Sequence, residues 1–147
     1  MGISADIVIA AMMWIANNTA YIDAHRIAPP EIETVSREQL ASLCRIDGCN
    51  QRAETIHALY SCRQRRVYLG DHLDQSTAFG RAALVHELTR HVQCVKGVNQ
   101  ADYCARSTEA WTANGKFYQQ HTKTRPELWA EYRLRVEAGI AAACGRT

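Results

Sequence analysis

The apolar residues in the first third of this chain are spaced as in helices. Residues 4–18 are apolar nearly all round, follow Ser4 as a helix cap and end at two asparagines, which predicts a buried helix. Ser36 followed three residues later by Gln39 is a capping-box pattern. We therefore expect a second, shorter helix over residues 37–44.

Three shorter segments have the pattern of strands. Residues 32–35 alternate between apolar and polar side chains soon after two prolines that force extended backbone. Residues 55–61 and 66–69 are rich in β-branched and aromatic side chains and are separated by a polar stretch. This arrangement predicts a β-hairpin.

The second half of the chain is predicted to be helical. One helix begins after a cap near Thr77 and stops at Gly97, another covers residues 103–121, and a last one begins at Pro126. No repeat, low-complexity tract or linker divides the sequence. Residues 1–147 are therefore predicted to form one α+β domain, mainly helical, with a small hairpin beside a long helix.

Composition narrows the functional classes. The 17 Lys and Arg residues against 15 Asp and Glu leave a formal net charge of +2, too near balance to argue for nucleic-acid binding. The longest apolar run, residues 7–15, is too short to cross a bilayer. We expect neither a nucleic-acid partner nor a membrane span.

The six cysteines form an even set without a C-x-x-C pair, which favours disulfides over a thiolate zinc site. Disulfides place the protein in the periplasm or outside the cell, with the signal peptide missing from this sequence; buried thiols in a cytoplasmic protein are the weaker alternative. Six cysteines allow fifteen complete pairings. Cys94 and Cys104 flank the break between two predicted helices and are the first candidate pair.

Residues 84–93 (LVHELTRHVQ) nearly match the H-E-x-x-H helix of zinc peptidases. In that motif two histidines four residues apart bind the metal, and the glutamate is the general base. His86 and Glu87 match, but the second histidine position is Arg90, and His91 comes one residue late. The sequence therefore predicts a zinc site with one ligand replaced.

Helix geometry shows why the shift matters. A four-residue step returns to within roughly 40° of the starting direction, whereas a five-residue step ends roughly 140° away. His86 and His91 could reach one ion only across a π-bulge or a broken turn. A surface or helix-end position is the simpler expectation for His91.

The chain resembles small bacterial proteins with a zincin-like, gluzincin-type metallopeptidase core. The resemblance covers roughly residues 5–120 and depends on four short motifs, which are residues 56–60 (IHALY), 67–69 (VYL), 84–88 (LVHEL) and 109–111 (EAW). It implies a zincin-like fold in which a strand beside the active-site helix binds extended peptide.

The same resemblance implies roles for individual residues. His86 is the first zinc ligand, Glu87 the general base and Glu109 the third ligand. Relatives often carry two adjacent histidines where this chain has Arg90 and His91, so His91 would match the second of them. The arginine suggests a hypothesis: Arg90 pairs with Glu109, Glu87 or both, and the fold is metal-free.

Three functional classes follow. The first is a degenerate metallopeptidase, a pseudoenzyme that has lost or weakened zinc binding and retains peptide binding. The second is an active zinc-dependent peptidase that uses His91 or another histidine, or a working parent whose histidine was replaced by arginine. The third is an exported, disulfide-stabilised binding protein without catalysis. A peptide or protein is the expected partner, and the sequence contains no signal for the substrate or the oligomeric state.

Overall fold

Helices account for most of the computed structural model, which describes residues 3–49 and 51–145. None of the helices in these two ranges is both long and apolar enough to cross a bilayer. The elements are α1 (Ala5–Asn18), a short 3-10 turn (Ala24–Arg26), β1 (Glu31–Val35), α2 (Arg37–Ile46), β2 (Ala58–Ser61), β3 (Arg66–Gly70), α3 (Ala78–Lys96), α4 (Tyr103–His121) and α5 (Pro126–Ala143). The α+β class predicted from the sequence is confirmed.

The helix ends follow the local signals in the sequence. The side chains of Ser36 and Gln39 form both hydrogen bonds of the capping box that begins α2, and the Thr77 hydroxyl accepts from the first turn of α3. Gly97 ends α3 with φ +66°, a left-handed conformation that glycine adopts without steric cost. The expectation that α1 is buried all round is wrong, since Ile9 and Met13 are 54% and 45% exposed.

The three strands form one sheet in the order β1-β3-β2. The predicted hairpin is confirmed as the antiparallel pair of β2 and β3, although β2 begins at Ala58 because residues 52–56 form a turn. Strand β1 pairs in parallel with β3, with Ile32 opposite Val67. The sheet is therefore mixed, and β2 is an antiparallel edge strand.

The sheet is packed on both faces. Tyr60, Val67 and Leu69 point to one face and join the main core with α1, α3 and α4. Tyr68, the neighbour of Val67 in β3, points to the opposite face and packs with Leu40 of α2. Because α3 lies beneath the sheet with helices on its other sides, most of its side chains are buried.

Three disulfides stabilise the fold and join Cys44 to Cys49, Cys62 to Cys94 and Cys104 to Cys144. The pairing of Cys94 with Cys104 is wrong, although the two are close in sequence. Cys94 lies on the face of α3 that turns toward the hairpin, with its Cα 5.7 Å from that of Cys62. Cys104 lies on the face of α4 that turns toward the end of α5.

Candidate functional site

One stripe of α3 is more accessible than the rest of this buried helix. Phe79, Ala83, His86 and Arg90 are partly exposed and follow one another by steps of four, three and four residues. Such steps place side chains on one face of a helix. Glu87 lies on the same stripe, four residues after Ala83, and is 7% exposed. The matched part of the peptidase motif therefore lies on one face of α3.

Neighbours on α4 and α5 hold His86 in place. The side-chain amide nitrogen of Asn114 lies 3.3 Å from His86 Nδ1, and the ring of Trp111 meets the imidazole edge-on. The Tyr132 hydroxyl donates to the Asn114 side-chain oxygen at 2.6 Å. Because the Asn114 nitrogen is the donor, His86 accepts at Nδ1 and has its proton on Nε2. Burial and the charge of Arg90 lower the pKa of His86 to about 3, so the ring is neutral.

Glu87 and Arg90 are close enough to influence each other but do not pair. Burial raises the pKa of Glu87 to about 7, against the opposing effect of the Arg90 charge. Within residues 3–49 and 51–145, no carboxylate oxygen lies within 4.0 Å of an Arg90 nitrogen, and Arg90 Nε is buried without a hydrogen-bond partner. The expected ion pair of Arg90 with Glu87 or Glu109 is therefore wrong.

Glu109 is held by three neutral donors. Its Oε1 accepts from the Tyr21 hydroxyl at 2.6 Å, from Gln93 Nε2 at 2.9 Å and from Asn99 Nδ2 at 3.0 Å. Burial and this carboxylate raise the pKa of Tyr21. Glu109 of α4 shares no hydrogen-bond partner with His86. It lies opposite Gln93, about two turns further along α3 than His86. Its contacts are those of an anchor between α3, α4 and the segment after α1.

His91 points into the core. It is 2% exposed, its Nδ1 lies 2.8 Å from the Tyr60 hydroxyl, and its Nε2 lies 2.8 Å from the Ala28 carbonyl oxygen. Since a carbonyl can only accept, Nε2 carries the proton and Nδ1 accepts from the tyrosine. The expectation of a surface or helix-end position is wrong. His91 faces away from His86, as the five-residue step on a regular helix predicts.

The donor set on this stripe does not fit a catalytic zinc ion. Such a site needs three protein ligands and an open position, and here the stripe offers the imidazole of His86 and the carboxyl of Glu87 next to a guanidinium that has no lone pair. In the part of the chain that the structure describes, no three His, Cys, Asp or Glu side chains are grouped so as to hold a metal ion. No step through zinc follows from this arrangement.

Strand β2 has an unpaired edge beside the stripe. The Gly70 N–H donates to the His57 carbonyl, which makes His57 and Gly70 a hydrogen-bonded pair in the ladder. Hydrogen-bonded and non-bonded pairs alternate in antiparallel strands, so the backbone groups of Ala58 and Tyr60 point away from β3. Among the described residues, these N–H and C=O groups of Ala58 and Tyr60 have no hydrogen-bond partner. They form a short edge that another strand can pair with.

A second cluster, which sequence spacing did not indicate, lies at the start of β2. His57 Nδ1 is 2.7 Å from His72 Nε2, and the Phe79 ring meets His57 edge-on at 5.1 Å. The Arg135 guanidinium of α5 lies 4.9 Å from the centre of the Phe79 ring. A Cβ atom at Gly70 would collide with the His72 ring, so this glycine permits the histidine pair. No regular spacing connects these residues, and only the fold brings them together.

Comparison with known proteins identifies a family but no activity. No curated protein and no solved structure is significantly similar to this chain. One family model, described as a domain of unknown function (DUF6647), matches residues 3–133. Because this match includes most of the chain, the protein belongs to the DUF6647 family.

Proposed function

We propose that this protein is a metal-free, metallopeptidase-like domain that binds an extended peptide along β2. The observation that carries the proposal is the position of His91, which two buried hydrogen bonds hold on the far side of α3 from His86. Because Arg90 stands at the position four residues after His86, α3 has no second imidazole that could bind the same metal ion as His86. Glu87 then has no metal-bound water to deprotonate, and hydrolysis by the usual zinc mechanism is not expected.

The unpaired edge of β2 supports peptide binding. Addition of a strand to an exposed sheet edge is a common mode of peptide recognition, in which main-chain hydrogen bonds supply affinity. The edge runs beside α3, where Phe79 of the stripe contacts His57 and the buried His91 contacts Tyr60. A docked peptide would lie next to Phe79, which belongs to the same stripe as His86 and Arg90.

An active zinc peptidase is the second candidate, and the contacts of His91 disfavour it. To reach an ion next to His86, His91 would have to leave both of its buried partners and α3 would have to unwind by one residue. Each buried polar group left without a partner would cost about 1–3 kcal/mol. An exported location, periplasmic or extracellular, fits the three disulfides.

Metal content and peptide binding test the proposal together. Elemental analysis should find zinc well below one equivalent in the protein, whereas Arg90→His restores a second imidazole and should raise the zinc content. A fluorescein-labelled peptide of sequence AQVQTQA should bind in a fluorescence anisotropy titration. Ala58→Pro, which removes an outward N–H, should abolish this binding, and Ala58→Ser, which keeps it, should not. Stoichiometric zinc in the unmodified protein, or equal binding by the two Ala58 variants, would overturn the proposal.

A further inference from the structure

Arginines that form no ion pair with any described residue lie around β2. The ion pairs in the described ranges use five other cations, which are Arg52, Arg66, Lys96, Arg125 and Arg133. Arginines near β2 that form none of these ion pairs include Arg37, Arg65, Arg90 and Arg135, and Arg63 lies in the same turn as Arg65. Because the formal net charge of the whole chain is only +2, this is a local concentration of positive charge.

Two of these arginines lie at the His57 end of the strand. The Arg135 guanidinium is stacked over the Phe79 ring that contacts His57. Arg37 donates from Nη1 to the Glu54 carbonyl at 3.4 Å, while its Nε is buried without a partner. Burial, then the charges of Arg135, His72 and Arg37, lower the pKa of His57 to about 4, which agrees with a positive potential at this end.

The other two arginines lie at the Tyr60 end. Arg65 belongs to the turn after β2 and has φ +52°, and Arg90 follows His86 by one turn of α3. Burial raises the pKa of Tyr60 to about 12, and the charges of Arg65 and Arg90 oppose that rise. Both guanidinium groups are therefore within electrostatic reach of the end of the strand.

Few acids offset these charges. Asp71 acts on His72, and Glu87 lies on the α3 stripe beside Arg90. Glu87 is buried, where its neutral form is favoured, and Glu109 is occupied by its three donors. Arginines without an ion pair thus lie near both ends of a strand whose outer edge lacks main-chain partners among the described residues.

We propose that the extended segment recognised at β2 is an acidic peptide, with Asp or Glu side chains that meet these arginines. This inference rests on the proposed function, because it assumes a strand docked on the edge. Guanidinium groups bind carboxylates with charge-assisted, often bidentate hydrogen bonds. From His57 to Tyr60 the strand advances by about 10 Å, so carboxylates two to four residues apart along a docked strand would meet arginines at both ends.

The test compares three labelled peptides of the same pattern, AEVETEA, AQVQTQA and AKVKTKA, at moderate salt. The glutamate peptide should bind at least about tenfold more tightly than the glutamine peptide, and the lysine peptide should bind least. Arg135→Gln should weaken binding of the glutamate peptide by about three- to fivefold and leave the glutamine peptide unchanged. Arg133→Gln, on the same helix but paired with Glu137, is the matched control and should have no effect.

The outcomes separate the two proposals. If the glutamine peptide binds as tightly as the glutamate peptide, the acidic preference is wrong and strand docking stands. If neither peptide binds, both proposals fail. If Arg135→Gln and Arg133→Gln change the affinity for the glutamate peptide equally, the proposal that arginines near β2 bind its carboxylates is wrong. If a short oligothymidylate binds more tightly than the glutamate peptide, the positive charge serves a nucleic acid and the acidic-peptide proposal is wrong.

Discussion

The hydroxyl of Tyr60 on β2 donates to Nδ1 of His91 on α3 across 2.8 Å in the buried core. This hydrogen bond joins the edge strand to the helix that carries the peptidase-like motif. The same imidazole donates from Nε2 to the Ala28 carbonyl, so both ring nitrogens are occupied. The histidine that the motif suggested as a displaced ligand therefore serves as a structural link between the sheet, the helix and the segment before β1.

Tyr60→Phe should destabilise the protein by about 1–3 kcal/mol, because it leaves the buried Nδ1 of His91 without a donor. Urea denaturation followed by circular dichroism measures the change. Tyr103→Phe is the matched control, since Tyr103 is 52% exposed, and should change stability by less than about 0.5 kcal/mol. Equal effects of the two substitutions would contradict the role assigned to this hydrogen bond.

Glu87 should make stability depend on pH. Burial raises its pKa to about 7 in the folded protein, above the ordinary value of 4.5. A raised carboxyl pKa means that the folded state binds the proton more tightly than the unfolded state. The stability that the protonated carboxyl contributes is therefore fully present below pH 4.5 and is lost as the pH rises to about 7. Glu87→Gln should therefore be more stable than the unmodified protein at pH 8, by about 3 kcal/mol, since the pKa rises from 4.5 to about 7.

Urea denaturation of both proteins at pH 4, 6 and 8 measures this difference. Near pH 4 the two should be similar, because the carboxyl is protonated in both states. A difference in stability that stays constant from pH 4 to pH 8 would show that Glu87 is not buried as described.

His57 should titrate near pH 4 in two-dimensional NMR of its imidazole, because burial and the charges of Arg135, His72 and Arg37 lower its pKa. Since the folded pKa lies below the ordinary 6.5, the stability associated with the neutral ring is present above pH 6.5 and lost between pH 6.5 and 4. Arg135→Gln should raise the midpoint, and Arg133→Gln should leave it unchanged. A midpoint near 6.5 in the unmodified protein would contradict the described surroundings of this histidine.

The disulfides should differ in their contributions to stability. Replacement of Cys62 and Cys94 by serine opens a link with a sequence separation of 32 and should cost about 3–4 kcal/mol by chain entropy. The same replacement of Cys44 and Cys49, separated by 5, should cost only about 2 kcal/mol. Peptide mapping without reduction identifies the pairs first. A peptide linking Cys94 to Cys104 would refute the described connectivity.

Local sequence was sufficient for most of the secondary structure. The ends of α2 and α3 depend on caps within three residues of Ser36 and Thr77, and Gly97 stops α3 through its own backbone freedom. The opposite directions of His86 and His91 also followed from sequence, because helical geometry relates residues that are only five apart. These features depend on interactions within a few turns, and the sequence pattern contains them.

The candidate site depends on contacts that no local pattern encodes. Tyr21 and Glu109 are 88 residues apart in sequence and share a hydrogen bond, and β1 joins β3 without any turn that would reveal the pairing. The sequence determined that Arg90 stands four residues after His86, where the H-E-x-x-H pattern has a histidine. Tertiary packing alone decided that Glu109 is held by neutral donors, that His57 meets His72, and that arginines without an ion pair lie near both ends of β2. The physical reason is that these contacts join distant segments, whose relative positions are set by burial of the shared core.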